Sequence, residues 1–149
     1  MQGETVKSRH GCAVVLERAG VLILGESGSG KSELAARLIR RWHDANCFAR
    51  WVADDRIYLQ SCGGRVVARV PKPIAGLAEC RFAGVLSVDH LPAAIVDLAI
   101  SLHPYDELER LPDSGHLYLP ETDTTIPLIR VPRGDPARAE ELVEAHFAA

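Results

Sequence analysis

The stretch Gly20-Val-Leu-Ile-Leu-Gly25-Glu-Ser-Gly-Ser-Gly30-Lys-Ser-Glu-Leu-Ala36 decides how the rest of the chain is read. Within it, Gly25-x-x-x-x-Gly30-Lys31-Ser32 matches a phosphate-binding loop in full. An apolar strand runs into the loop and an amphipathic pattern leaves it, which is the context the motif requires. Glycines let successive backbone N–H groups turn inward around a phosphate. The N-terminus of the following helix adds about half a positive charge. Lys31 can reach the β and γ phosphates, and the Ser32 hydroxyl can ligate Mg²⁺. Gly25, Glu26, Ser27, Gly28, Ser29, Gly30, Lys31 and Ser32 are therefore the candidate nucleotide site. The loop implies nucleotide or phosphate binding without fixing the reaction.

Working outward, Cys12–Leu16 and Gly20–Leu24 read as two strands joined by a tight turn. After the loop, Leu34, Ala35, Leu38, Ile39 and Trp42 form one apolar helical stripe, with Arg37, Arg40 and Arg41 opposite. Trp51-Val-Ala reads as a short strand. Ile57–Leu59 and Val66–Val70 flank Cys62-Gly63-Gly64 as a hairpin, which Pro71-Lys-Pro73 stops. Gly84–Val88 and Ala94–Leu102 read as strands, with a helical start to the second as the lesser alternative. His103–Gly115 reads as an exposed loop, and Leu117–Leu119 and Ile126–Val131 as short strands. Asp135-Pro136 sets an N-cap and first-turn proline for a terminal helix carrying Ala139, Leu142, Val143 and Phe147. The expectation is one strand-rich α/β domain over residues 1–149 with two flanking helices.

Composition narrows the function classes. With 47% hydrophobic and 25% charged residues, the 149-residue chain has a globular balance. Twenty acidic against 17 basic residues give a net charge of −3, without the basic excess of a nucleic-acid binder. The longest apolar run is too short to cross a bilayer. The N-terminus shows no secretory signal. Cys12, Cys47, Cys62 and Cys80 are widely spaced, so neither a disulfide framework nor a zinc site is expected and a cytoplasmic setting fits.

The acids come next. Asp54 and Asp55 end the strand that follows the loop's helix. A carboxylate at such a strand tip can hold Mg²⁺ through water or take a proton from an attacking hydroxyl. The bland alternative is a polar turn leading into Arg56, and the neighbouring loop favours the chemical reading.

His10-Gly11, the loop segment Gly20–Ala36, Val52-Ala-Asp-Asp55 and Gly76-Leu-Ala-Glu79-Cys-Arg81 occur in this order. Together they resemble the catalytic domain of HPr kinase/phosphorylase, the bacterial enzyme family that phosphorylates a serine of the phosphocarrier HPr. The likeness is greatest to the short α-proteobacterial type that lacks an N-terminal domain. It covers residues 8 to 90 well and the remainder loosely. The resemblance implies a phosphoenolpyruvate-carboxykinase-like P-loop fold and a serine kinase using ATP and Mg²⁺ on HPr or an HPr-like carrier of the phosphotransferase system. It assigns His10 as an active-site histidine, Lys31 as the loop lysine and Asp55 as the carboxylate that takes and returns the serine proton. Ser32 and Glu79 become Mg²⁺ ligands, Asp54 supports the metal, and Arg81 belongs to a segment used in both reaction directions. The family often forms hexamers, so a homo-oligomer is left open, while no nucleic-acid or membrane partner is implied. His43, His90, His103, His116 and His146 receive no role and read as structural.

The pattern departs from the family after Arg81, where Phe82-Ala83-Gly84 stands in place of Gly-x-Gly. Phe82 lacks the backbone freedom of glycine, so kinase activity is expected with weak phosphorolysis. The family's basic C-terminal loop has only Arg130 and Arg133 as counterparts, whose bland reading is solvated surface arginines. Two other functions remain in view: a phosphotransferase with a small-molecule substrate, and a nucleotide-binding sensor without catalysis. Retention of Asp55 and Glu79 weighs against the sensor.

Overall fold

The computed structural model describes residues 7–80, 83–108, 110 and 115–148. Arg81 and Phe82, on which two expectations rest, lie outside the described residues, as does part of the 103–115 segment.

The phosphate-loop strand is built as its pattern demands. Strand β2 (Cys12–Leu16) and strand β3 (Ala19–Leu24) pair antiparallel, with Val14 opposite Val21. All five residues of β2 are buried, because both faces of the sheet are covered. Along β2 the side chains alternate between two cores with the period of a strand. Cys12, Val14 and Leu16 face the core beneath the helices, and Ala13 and Val15 face the core on the other side.

Helix α1 (Lys31–Asp44) forms where the apolar stripe lies, and buries Leu34, Ala35, Leu38, Ile39 and Trp42. The C-terminal helix, numbered α3 in chain order, spans Pro136–Ala148. The Asp135 carboxylate accepts the Arg138 backbone N–H at 3.2 Å, capping α3 as its sequence predicts. The Trp42 and Phe147 rings meet edge to face at 5.2 Å, joining the two helices. Arg37–Glu140 and Arg41–Glu144 contacts flank that seam.

The remaining strands are β1 (Lys7–His10), β4 (Ala49–Ala53), β5 (Arg56–Cys62), β6 (Arg65–Arg69), β7 (Leu77–Cys80), β8 (Gly84–Ser87), β9 (Ala93–His103), β10 (His116–Leu119) and β11 (Thr124–Pro132). A single helical turn, α2, covers Tyr105–Leu108. The large sheet runs β1-β5-β6-β9-β3-β2-β4, with β11 on β9 and β10 on β11. Strands β7 and β8 form a separate hairpin.

The strand reading of residues 94–102 holds and one expectation changes. Residues 93–103 are strand throughout, without the alternative helical start, because β9 pairs with β6, β3 and β11 along its length. Within His103–Gly115, His103 still belongs to β9 and Tyr105–Leu108 turn as a helix. At the crossing of β3 and β9, a Cβ on Gly20 would lie 1.8 Å from the Ile95 carbonyl oxygen. Only glycine allows that approach.

Strand direction positions the site. β9 and β11 run parallel to β3. β4 is antiparallel to β2, which is antiparallel to β3, so β4 also runs with β3. Four carboxyl ends therefore face the same way: Leu24 before the loop, Ala53 before the acids, His103, and Pro132 before Arg133. Crevices at such ends are the usual ligand sites of α/β sheets.

Candidate active site

The loop turns on its glycines. Gly28 has φ of 78° and Gly30, the N-cap of α1, has φ of 98°. Those left-handed values suit glycine alone among common residues at little cost. The Lys31 ammonium lies back over the loop and donates to the carbonyls of Gly25 (2.9 Å) and Glu26 (3.0 Å). It thus stands within the loop it would share with a phosphate. Ser29 is buried, and its hydroxyl has no hydrogen-bond partner among the described residues.

Beside the loop lies Asp54, only 6% exposed. Its Oδ1 accepts the Ser32 hydroxyl at 2.5 Å and the Cys12 thiol at 3.1 Å. Its Oδ2 accepts the Glu79 backbone N–H at 2.6 Å. No cationic side chain pairs with Asp54 among the described residues. A buried carboxylate needs such donors, or a cation, to offset its lost hydration. Cys12 keeps its proton: burial, then the Asp54 charge, push its pKa up to about 12. It is a donor here rather than a thiolate.

Asp55 points the other way. The chain reverses between β4 and β5 by placing Asp55 at φ of 78°, and its carbonyl accepts the Gly11 N–H at 2.9 Å. Aspartate is among the few non-glycine residues that tolerate this region. One consequence is that adjacent carboxylates separate, Asp54 inward and Asp55 outward. The Asp55 side chain is 77% exposed, and His10 Nδ1 stands 3.9 Å from its Oδ1 with 70% exposure. β1 carries His10 to this point by pairing with β5, where His10 sits opposite Arg56.

The structure thus brings together Ser32, Asp54, the backbone of Glu79, Asp55 and His10. Glu79 itself is exposed on β7, and only its main chain touches Asp54. Among the described residues no three His, Cys, Asp or Glu side chains form a metal site by themselves. Mg²⁺ does not require one, since it commonly takes one or two carboxylates, phosphate oxygens and water. The adjacent Ser32 and Asp54 oxygens fit that pattern.

On the opposite side of the loop, Arg133 contacts Glu26 at 3.2 Å and donates its backbone N–H to the His103 carbonyl. Arg133 is exposed, as its surface reading expects, and it stands beside the loop. His103, taken as structural from the sequence, bridges Ser101 and Glu107. Its Nε2 lies 2.7 Å from Ser101 Oγ and its Nδ1 3.1 Å from Glu107 Oε1. The i, i+2 spacing on a strand, which puts Ser101 and His103 on one face, was the available signal.

Residues 4–148 match the model of the family described as HPr Serine kinase C-terminal domain. The HPr kinase/phosphorylase of Clostridium beijerinckii is 40% identical over 82 residues, covering 55% of this chain and 25% of that protein. That of Caldanaerobacter subterraneus is 33% identical over 133 residues, covering 83% of this chain and 42% of that protein. The chain thus spans a quarter to under half the length of such relatives. The solved structure of the Hpr(Ser) kinase/phosphatase from Coxiella burnetii superposes with a TM-score of 0.74 at 26% identity, covering 95% of this chain and 97% of that one. The fold is therefore the strand-rich α/β fold of that kinase domain. No helix among the described residues is long and apolar enough to cross a membrane.

Proposed function

Because the chain belongs to the HPr Serine kinase C-terminal domain family, we propose that it transfers the γ-phosphoryl group of ATP to a serine of HPr or an HPr-like carrier, with Mg²⁺. The observation that carries this reading is the split pair of acids. Asp54 is buried against Ser32 at the loop, and Asp55 is exposed one residue later beside His10.

Phosphoryl transfer asks little covalent work of a protein and much positioning. The loop N–H groups and Lys31 bind the phosphates. Ser32 and Asp54 would hold Mg²⁺, with Glu79 as the further carboxylate that the family resemblance adds, and the ion bound there would offset the negative charge of the phosphates. Asp55 accepts the proton of the attacking serine hydroxyl. His10 orients Asp55, and the family resemblance adds Arg81 as part of a segment used in both reaction directions.

The exposure of Asp55 and His10 favours a protein substrate over a small molecule. A serine on a folded partner can reach an acid on an open edge, whereas small substrates are usually enclosed. Retention of the base beside the loop favours catalysis over nucleotide sensing.

The test is transfer of label from γ-labelled ATP to HPr, with an HPr variant whose candidate serine is replaced by alanine. Label on the native carrier and none on the variant supports the reading. Nucleotide binding without transfer to any carrier overturns it. Lys31→Ala, folded but without transfer, assigns the loop.

A further inference from the structure

The buried Asp54 carboxylate accepts from three groups among the described residues, and one of them lies outside the phosphate-loop motif. Ser32 comes from the loop's helix and the Glu79 N–H from β7. The third is the Cys12 thiol, 3.1 Å from Oδ1. Cys12 is the first residue of β2 and is fully buried.

The sheet builds this contact. Strands β2 and β4 pair antiparallel with Ala13 opposite Ala53, and the Gly11 N–H meets the Asp55 carbonyl at 2.9 Å. Cys12 and Asp54 are therefore neighbours across the two strands. The register shifts between Ala13 and Val14, an irregularity of the kind that re-aims side chains beside a site. Cys12 faces the same core as Val14 and Leu16, so it ends an apolar row where the acid begins.

We propose that Cys12 is a positioning residue for the metal site, its thiol holding the Asp54 carboxylate against Ser32. The inference rests on reading Ser32 and Asp54 as Mg²⁺ ligands. A carboxylate offers about four acceptor positions. Ser32 and Cys12 share Oδ1 and Glu79 takes one position on Oδ2, so both oxygens are fixed while one position stays open. A thiol suits the task because S–H is a weak, uncharged donor. It orients the acid without neutralising it, and the negative charge is left for a cation. The thiol keeps its proton, since a second negative charge beside a buried carboxylate is disfavoured. With an apolar side chain at position 12, Oδ1 would keep only the Ser32 hydroxyl, which the metal needs as well. A thiol that merely filled the core would instead be interchangeable with valine.

The experiment measures ADP affinity by calorimetry across a magnesium series, so that no turnover intervenes. Cys12→Val keeps an apolar side chain and removes the donor. Its Mg²⁺ midpoint should rise about tenfold, the low end of what losing the outer partner of a metal ligand costs. Its ADP affinity without Mg²⁺ should not change. Cys12→Ser restores a donor and should bring the midpoint most of the way back. A second readout uses the metal-free protein and stands if Cys12→Val fails to fold. Donation to a carboxylate lowers an S–H stretching frequency, so Asp54→Asn should raise one S–H band in the infrared spectrum. An unmoved midpoint in folded Cys12→Val overturns the proposal. So do equal midpoints in the valine and serine variants, or S–H bands that Asp54→Asn leaves in place. A native midpoint that Cys12→Val does not move removes only the role of Cys12. Native ADP affinity that ignores Mg²⁺ removes the metal reading of Ser32 and Asp54 as well.

Discussion

The Ser32 hydroxyl lies 2.5 Å from Oδ1 of Asp54, joining the first turn of the loop's helix to the end of β4. Twenty-two residues separate the two in the chain. The contact makes a hydroxyl and a carboxylate one oxygen pair at the mouth of the phosphate loop. It also separates the work of two neighbouring acids.

Asp54→Asn should act through the metal. Its amide cannot carry the charge that Mg²⁺ meets, and one of its positions now offers a donor where the site supplies donors already. The Mg²⁺ concentration giving half-maximal rate should rise about 10–100-fold. A magnesium titration of initial transfer rates reads this directly, and an unchanged midpoint would take Asp54 out of the metal site.

Asp55→Asn should act on chemistry. The side chain is exposed and keeps its shape, so the fold and ATP affinity should hold. The transfer rate should fall about 10²–10⁴-fold, the range for loss of a general base. Full activity would pass the proton to another group, with His10 the nearest.

Gly20→Ala should be among the most damaging single changes. The new Cβ would meet the Ile95 carbonyl at the junction of β3 and β9. Backbone cannot give way as a flexible side chain does, so about 3 kcal/mol or more should be lost. Urea unfolding of the two proteins measures it.

The cap of α3 should respond to acid. The Asp135 carboxylate accepts the Tyr105 hydroxyl at 2.6 Å, and this bond, followed by the Arg138 N–H, holds its pKa below the ordinary 3.8. The folded chain thus binds this proton less readily than the unfolded one. Its stabilisation is full above pH 3.8 and declines as pH falls below that value. Tyr105→Phe should move the Asp135 titration back upward in an NMR pH series. An unmoved titration would mean that Tyr105 does not hold the carboxylate.

Much of this was legible because the deciding residues are local. Leu34 to Trp42 announce a helix by spacing, and Asp135-Pro136 announces its successor by capping chemistry. The β2–β3 pair reads from apolar runs on either side of a turn. Strand β1 could not be read so, since Lys7, Ser8, Arg9 and His10 carry no apolar pattern. It is held instead by backbone pairing with β5 and by the Arg9–Glu121 ion pair, 112 residues apart. The start of β9 was ambiguous because Ala93 and Ala94 suit a helix as well as a strand, and pairing with β6 decides it. In the site, Asp54 and Asp55 were visible as a pair, but which faces inward depends on a left-handed turn. The contact of Glu79 through its backbone, and the approach of Arg133 and His103 to the loop, arise from tertiary placement that no local pattern encodes.

Strand β9 also has a bearing on how the molecule opens. Because its eleven residues are shared among β6, β3 and β11, the flanks of the loop cannot part without breaking its ladders. Val96 to Leu102 should therefore hold the slowest-exchanging amides of the chain, released only on global unfolding. The pairing of β3 with β9 also closes a stretch of more than seventy residues, as in Gly20 with Val96. Such long-range closure slows folding. Loop and acids should thus appear together and late, as one cooperative event, rather than loop first and acids after.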